Sequence, residues 1–255
     1  MDAKRVLLCG VRFMAETVKI LSPEKTVILA HPRAGCPMAE QIDPGRVKTF
    51  RAENPGAAVC AYINTTAALK AQADVCVTSS TAVKIVSRLP QKDILFIPDK
   101  NLGAYVQSQL PEKNILLWDG FCYVHNGVRP EMILKLKAEH PGAKVALHPE
   151  CRPDCVALAD MVGSTKAIID YALSTDDEII LVTERGVCDK LSRDHSNRKF
   201  YQLEEDLLTC MNMKLTTLQQ VADALAGRGG EEIVMEESLR LAAKRPIDAM
   251  LRYGG

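Results

Sequence analysis

The chain repeats itself at a fixed interval, and this limits its fold more than any composition figure does. AAVCAYINTTAALKAQADV at 57–75 aligns with AKVALHPECRPDCVALADMV at 143–162, which sets Tyr62-Ile63-Asn64 opposite His148-Pro149-Glu150, 86 residues on. Three cysteines keep almost the same period: Cys36, Cys122 and Cys210 are 86 and 88 residues apart. Fixed-period self-similarity marks a repeat architecture. Short apolar runs at 5–9, 26–30, 58–63, 75–78, 94–98, 115–118, 144–148 and 178–183 alternate with helical patterns such as MAETVKILS, EMILKLKAEH and STKAIIDYAL. Strand and helix in alternation predict parallel sheets joined by right-handed crossovers. The expectation is an α/β protein of three pseudo-threefold-related parallel-sheet domains around a central site. Their spans are 1–56 with a C-terminal helical tail (about 211–255), then 57–142, then 143–210.

A three-way alignment adds detail. It pairs CGVRFMAETVKILSPEKTVILAHPRAG with CVTSSTAVKIVSRLPQKDILFIPDKNLG and with MVGSTKAIIDYALSTDDEIILVTERG. On this alignment the first domain lacks the opening strand and helix of the other two, because the equivalent strand falls upstream of Met1. An incomplete first domain is expected, with an exposed sheet edge.

With 32 basic and 32 acidic residues the net charge is zero, so no electrostatic footprint points to nucleic acid or an anionic membrane surface. Lys4, Arg5, Arg12, Glu16 and Lys19 break up the first twenty residues, which excludes a signal-peptide core, and no run reaches membrane-spanning length. A cytoplasmic protein is expected. Nine cysteines without an export signal read as reduced thiols and metal ligands rather than a disulfide framework.

Cys36, Cys122 and Cys210, one per domain, could meet where the domains converge. Three thiolates suit an iron–sulfur cluster with one metal corner left open for chemistry. Cys9, Cys60, Cys76 and Cys188 read as small buried hydrophobes. Cys151 and Cys155 form a C-x3-C pair that could hold zinc, although no second pair stands at the right spacing. His148 and Glu150 end a strand and could orient an acidic substrate and move a proton. Their repeat partners Tyr62 and Asn64 offer a phenol and an amide. Thr78-Ser79-Ser80 and Gly163-Ser164-Thr165 each precede a helix, where hydroxyls and free N–H groups either cap or bind phosphate and carboxylate. Gly10-Val11-Arg12 is read as their first-domain counterpart. Lys100, Arg185 and Arg33 could offset anionic substrates; ordinary surface charge is the favoured reading.

The stretches CGVRFMAETVKILSPEKTVILAHPRAGCPMAE, YINTTAALKAQADVCVTSSTAVKIV, FIPDKNLGAYV, WDGFCYVH, HPEC, ADMVGST, VTERGV and CMNMKLTTL together resemble the quinolinate synthase family, the A protein of de novo NAD biosynthesis. The resemblance implies three α/β domains around a [4Fe-4S] cluster held by Cys36, Cys122 and Cys210. It implies condensation of iminoaspartate with dihydroxyacetone phosphate to quinolinate, with loss of phosphate and two waters. L-Aspartate oxidase or aspartate dehydrogenase would be the upstream enzyme. Tyr62 and Asn64 would line the pocket, Ser79 with Ser164 and Thr165 would hold phosphate or carboxylates, and His148 and Glu150 would position substrate and carry protons. Family members begin with a further segment bearing a histidine and a tyrosine that touch substrate; neither has a counterpart after Met1. Two other readings stand beside this one. One is an N-terminally truncated, catalytically impaired cluster-binding remnant; the other is a structural zinc protein built on Cys151 and Cys155.

Overall fold

The computed structural model describes residues 3–204 and 206–255. The chain begins with β1 (Arg5–Leu8), α1 (Arg12–Leu21), β2 (Thr26–Leu29) and α2 (Pro44–Glu53). A second run follows: β3 (Ala58–Tyr62), α3 (Ala67–Lys70), β4 (Val75–Val77), α4 (Ala82–Arg88), β5 (Asp93–Ile97), α5 (Lys100–Gln109), β6 (Asn114–Leu117), α6 (Tyr123–Asn126) and α7 (Pro130–Glu139). The third comprises β7 (Lys144–Leu147), α8 (Pro153–Val156), β8 (Met161–Val162), α9 (Thr165–Ser174), β9 (Ile179–Val182), α10 (Gly186–Asp194) and β10 (Phe200–Gln202). A tail of α11 (Met211–Lys214), α12 (Leu218–Leu225), β11 (Glu231–Glu232) and α13 (Glu237–Gly254) closes the chain.

The α/β class with parallel sheets is as the sequence predicts. Two sheets are wholly parallel and share one strand order, β4-β3-β5-β6 and β8-β7-β9-β10. Their strands begin 86 residues apart at every position: Ala58 and Lys144, Val75 and Met161, Asp93 and Ile179, Asn114 and Phe200. Beyond the charged first residues Asp93 and Lys144, the inner strands are apolar and buried because both faces are covered, the usual state of a parallel sheet. In the second sheet Cys60, Tyr62 and Phe96 point into one core with Ile85 and Leu102. Val59, Ala61, Leu95 and Ile97 point into another, with Ile20 from α1 and Ala243 and Ile247 from α13. Period-two alternation thus splits one strand between two cores.

The first sheet differs. Its order is β1-β2-β11, with β1 and β2 parallel and β11 antiparallel. Arg5 pairs with Thr26, a separation of 21 residues; Asp93 with Asn114 and Ile179 with Phe200 are separated by the same 21. A second signature agrees. Arg12 N–H donates to Ala34 O, Lys100 N–H to Gly120 O and Arg185 N–H to Leu208 O, at 2.8, 2.8 and 2.9 Å. Each acceptor stands two residues before one of the three periodic cysteines. β1-α1-β2 therefore corresponds to β5-α5-β6 and β9-α10-β10.

This corrects the three-way alignment, which sets β1 and β2 against β4 and β5. Those two strands are not neighbours, since β3 lies between them. The alignment misleads because any strand, turn and amphipathic helix looks alike at low resolution. Gly10-Val11-Arg12 is thus the counterpart of the turns at 98–100 and 183–185, not of the hydroxyl turns before α4 and α9. Among the described residues, the first sheet has no strand at the two positions that β3 and β4 fill in the second. The tail serves both regions: β11 pairs with β2, while α13 packs on α1, α3, α4 and β4.

Candidate functional site

Parallel strands leave loops at their C-terminal ends, where open α/β sheets bind ligands. The loops after β1, β2, β3, β6, β7, β8, β9 and β10, with one face of α1, surround a cavity of about 550 Å³. Cys36, Tyr62, Asn64, Cys122, His148, Glu150, Thr165 and Cys210 all line it.

Each of the three cysteines opens a helical turn. Cys122 is the N-cap of α6 and Cys210 that of α11, and Cys36 leads the turn at 37–40. The backbone N–H groups of Met38 and Ala39 face Cys36 Sγ, and those of Val124 and His125 face Cys122 Sγ. Amide donors aimed at sulfur favour thiolate. Burial works against it, pushing the Cys36 thiol up to about 11 and the Cys122 thiol well above its usual value. Three part-buried sulfurs, two of them with amide donors in place, form a donor set that suits a soft cation or an iron–sulfur group. Tyr123 Oη donates to Cys210 Sγ at 3.9 Å and accepts from Met211 N–H at 3.1 Å.

Glu150 is the hub of a buried network beside Cys122: the ligand atoms of Cys122, His125 and Glu150 all lie within 4.8 Å of one another. His125 Nδ1 donates to its Oε2 at 2.9 Å, and His148 Nδ1 lies 3.9 Å from Oε1. Burial alone would raise the Glu150 carboxyl; the neighbouring histidines and the hydrogen bonds from His125 and Tyr62 prevail and hold it below the usual carboxylate range. Burial lowers His148 to about 4, so its imidazole is neutral at neutral pH. Glu150 N–H donates to His148 Nδ1 at 3.3 Å, which places the imidazole proton on Nε2. The rings of His125 and His148 stack with centroids 4.7 Å apart. The Tyr62 phenol is raised well above its usual value, first by burial and then by the charge of Glu150, and Ser79 also faces it. It stays protonated, a donor to Glu150.

Ser79 therefore reaches the site through Tyr62. Ser164 does not line the cavity; its hydroxyl caps α9, accepting from Ala167 N–H at 3.3 Å, while Thr165 beside it faces inward. Cys151 and Cys155 are buried, with their sulfurs near the carbonyls of Val182 and Val128 at 4.0 and 3.5 Å. Cys60, Cys76 and Cys188 are also buried, whereas Cys9 is exposed, contrary to its reading as a core residue.

Sequence reasoning misses His125, although its spacing from Cys122 as C-x-x-H was visible. It also misses Asn101, whose Nδ2 donates to Glu150 O at 2.9 Å and to Asn126 Oδ1 at 3.1 Å, and Asp99, wholly buried at the N-cap of α5. Asp99 is pushed up to about 7, by burial first and then by the charge of Glu150. No helix among the described residues is long and apolar enough to cross a membrane.

Fold and site together define an α/β protein that gathers three cysteines and a buried histidine–carboxylate network where strand ends from its three sheets converge. Comparison with known proteins is specific. The family model described as quinolinate synthetase A protein matches residues 1–252, and the chain belongs to that family. A quinolinate synthase of Caldicellulosiruptor bescii is 46% identical over 252 residues, covering 98% of this chain and 82% of the relative. One from Clostridium acetobutylicum is 45% identical over 255 residues, with 99% and 83% covered. A third, the quinolinate synthase of Methanoregula boonei, is 44% identical over 252 residues, with 98% and 82% covered.

Proposed function

We propose that this chain makes quinolinate from iminoaspartate and dihydroxyacetone phosphate, in the cytoplasm, with a [4Fe-4S] cluster held by Cys36, Cys122 and Cys210. The single observation that carries the reading is the meeting of those three cysteines with Tyr62, Asn64, His148 and Glu150 on one cavity, in a member of this family. The three sheets are read as pseudo-threefold-related domains about that cavity, divided as 1–56 with the tail from about 211, 57–142 and 143–210. The shared 21-residue strand separation supports the relation. The iminoaspartate would come from L-aspartate oxidase or aspartate dehydrogenase.

When bound, the cluster supplies a Lewis-acidic iron with an open position. The chain's own residues do the rest. Glu150, ionised and wedged between two histidines, takes a proton from the condensing carbon. Tyr62, protonated and donating to Glu150, returns one to a departing oxygen. His148 holds a substrate carboxylate through its Nε2–H, Asn64 fixes the same end of the substrate, and Ser79 steadies the Tyr62 phenol. Thr165, with Ser164 setting the start of α9, presents a hydroxyl and helix N–H groups to the phosphate. Positioned proton transfer of this kind contributes about 10²–10⁴ in rate.

The test is quinolinate formation by the chain reconstituted anaerobically with iron and sulfide and supplied with both substrates. Turnover is expected. A fully loaded brown protein that binds both substrates but makes no quinolinate would overturn the proposal.

A further inference from the structure

Each of the three cysteines has its backbone N–H held by a carboxylate. Cys36 N–H donates to Glu40 Oε1 at 3.1 Å, Cys122 N–H to Asp99 Oδ2 at 2.9 Å and Cys210 N–H to Glu184 Oε1 at 3.3 Å. Three unrelated local sequences arrive at the same bond: Glu40 comes from the cysteine's own turn, whereas Asp99 and Glu184 come from the ends of the preceding strands. Those two bridge. The other oxygen of Asp99 accepts Leu102 N–H at 2.7 Å, and that of Glu184 accepts Gly186 N–H at 2.8 Å. Each carboxylate thus ties the helix after one strand to the cysteine loop after the next.

Backbone clearance has been made for two of them. A Cβ added at Gly35 would stand 2.6 Å from Glu40 Oε1, and one at Gly186 would stand 2.9 Å from Glu184 Oε2. Neither glycine has the positive φ that would otherwise require glycine, so close approach is the reason for its size. Lys214 also pairs with Glu184 Oε1 at 3.3 Å, which steadies that carboxylate beside Cys210.

We propose that Glu40, Asp99 and Glu184 are positioning residues that fix the three cysteine loops before the cluster arrives, and that they govern how firmly the chain keeps it. The proposal rests on the cluster reading above. The physical argument is preorganisation: a loop already pinned at its ligand residue loses less freedom on binding. Partners one shell beyond a metal ligand typically change affinity by about 10–100-fold.

The experiment follows loss of cluster absorbance to an iron chelator under nitrogen, for the wild-type chain and for Glu40→Ala, Asp99→Ala, Glu184→Ala and the isosteric Glu40→Gln, Asp99→Asn and Glu184→Gln. The alanine variants should lose cluster about 10–100-fold faster, with Asp99→Ala the most labile because its carboxylate is wholly buried. Glu40→Gln keeps the one acceptor oxygen its bond uses and should stay near wild type, whereas Asp99→Asn and Glu184→Gln exchange one of two accepting oxygens for a donor and should fall between wild type and alanine. Gly35→Ala, which leaves every carboxylate in place but crowds Glu40, should behave like Glu40→Ala. This variant and Asp99→Asn keep the test decisive should Asp99→Ala fail to fold. Hydrogen exchange at the Cys122 and Cys210 amides of the apoprotein gives a readout independent of any cluster, and should quicken in the matching alanine variants alone. Wild-type retention in all three alanine variants would overturn the proposal, as would a Glu40→Gln variant as labile as Glu40→Ala, which would make charge rather than the bond the cause. A wild-type chain that takes up no iron and sulfide yet shows the expected amide exchange would refute the cluster reading and leave the pinning of the loops standing.

Discussion

The first and second sheets carry the same pair of parallel strands, 21 residues apart, and bury them to different depths. β5 reads DILFI and buries four of its five residues; β1 reads RVLL and buries none of its four. The two sequences are about equally apolar, so the difference does not lie in the strands. It lies in what flanks them: β5 sits between β3 and β6, whereas β1 has β2 on one side and no paired strand on the other among the described residues. Burial of a strand belongs to the sheet. Even so, the shallow sheet delivers Cys36 to the same cavity that the deep sheets serve with Cys122 and Cys210.

The sharpest way to break the comparison is at the cysteines. If the shallow sheet is an equal partner in the site, Cys36→Ser must abolish bound iron and sulfide and all quinolinate formation as completely as Cys122→Ser or Cys210→Ser, with Cys151→Ser as the variant that spares them. Residual cluster in Cys36→Ser alone would make the first sheet a bystander. Next in size is Glu150→Gln, which should keep the cluster and lose about 10²–10⁴ in turnover; retained activity would remove Glu150 from its role.

Core truncations measure the depth difference itself. Phe96 on β5 is wholly buried, and Leu8 stands at the matching place on β1, part-exposed. Phe96→Ala should cost about 3–5 kcal/mol in denaturant unfolding, and Leu8→Ala about 1 kcal/mol or less, because little area leaves water there to begin with. Equal losses would contradict the contrast.

Lys70 tests the seam between the two regions. It is wholly buried, donates to Thr65 O beneath the loop that carries Tyr62 and Asn64, and stands 5.6 Å over the Phe13 ring of α1. Burial lowers it to about 8 from 10.5. Between those values the unfolded chain holds a proton that the folded chain has released, so folding stability should rise as pH climbs from about 8 to 10.5. The rise should be about 3 kcal/mol in all. It is read as the difference between the wild-type chain and Lys70→Met, which cancels the other groups titrating there. A flat difference would mean that the seam admits water. The smallest expected effect is in hydrogen exchange, where β1 amides should exchange faster than those of β5 and β9.

Much of this was legible in the sequence. The 86-residue period between the second and third sheets holds at all four strands, anchored by the inner pairs β3/β7 and β5/β9, which are apolar runs buried on both faces with little room to drift. The register of the first sheet was not legible: β1-α1 and β4-α4 share one hydrophobic pattern, and only strand pairing and the Arg12, Lys100 and Arg185 backbone bonds separate them. Of the site, the residues next to strand ends could be found by position. Asp99, Glu184 and Asn101 could not, since their partners lie 23, 26 and 49 residues away and no local spacing records such bonds.

The central claim is that strand ends from all three sheets build one site around one cluster with an open iron. Mössbauer spectroscopy of the ⁵⁷Fe-reconstituted chain, with and without dihydroxyacetone phosphate, tests it most directly. The account predicts a [4Fe-4S] spectrum in which one iron site shifts on adding substrate while the others stay. A spectrum in which no site responds to that substrate, from a protein that carries its full complement of iron, would contradict it.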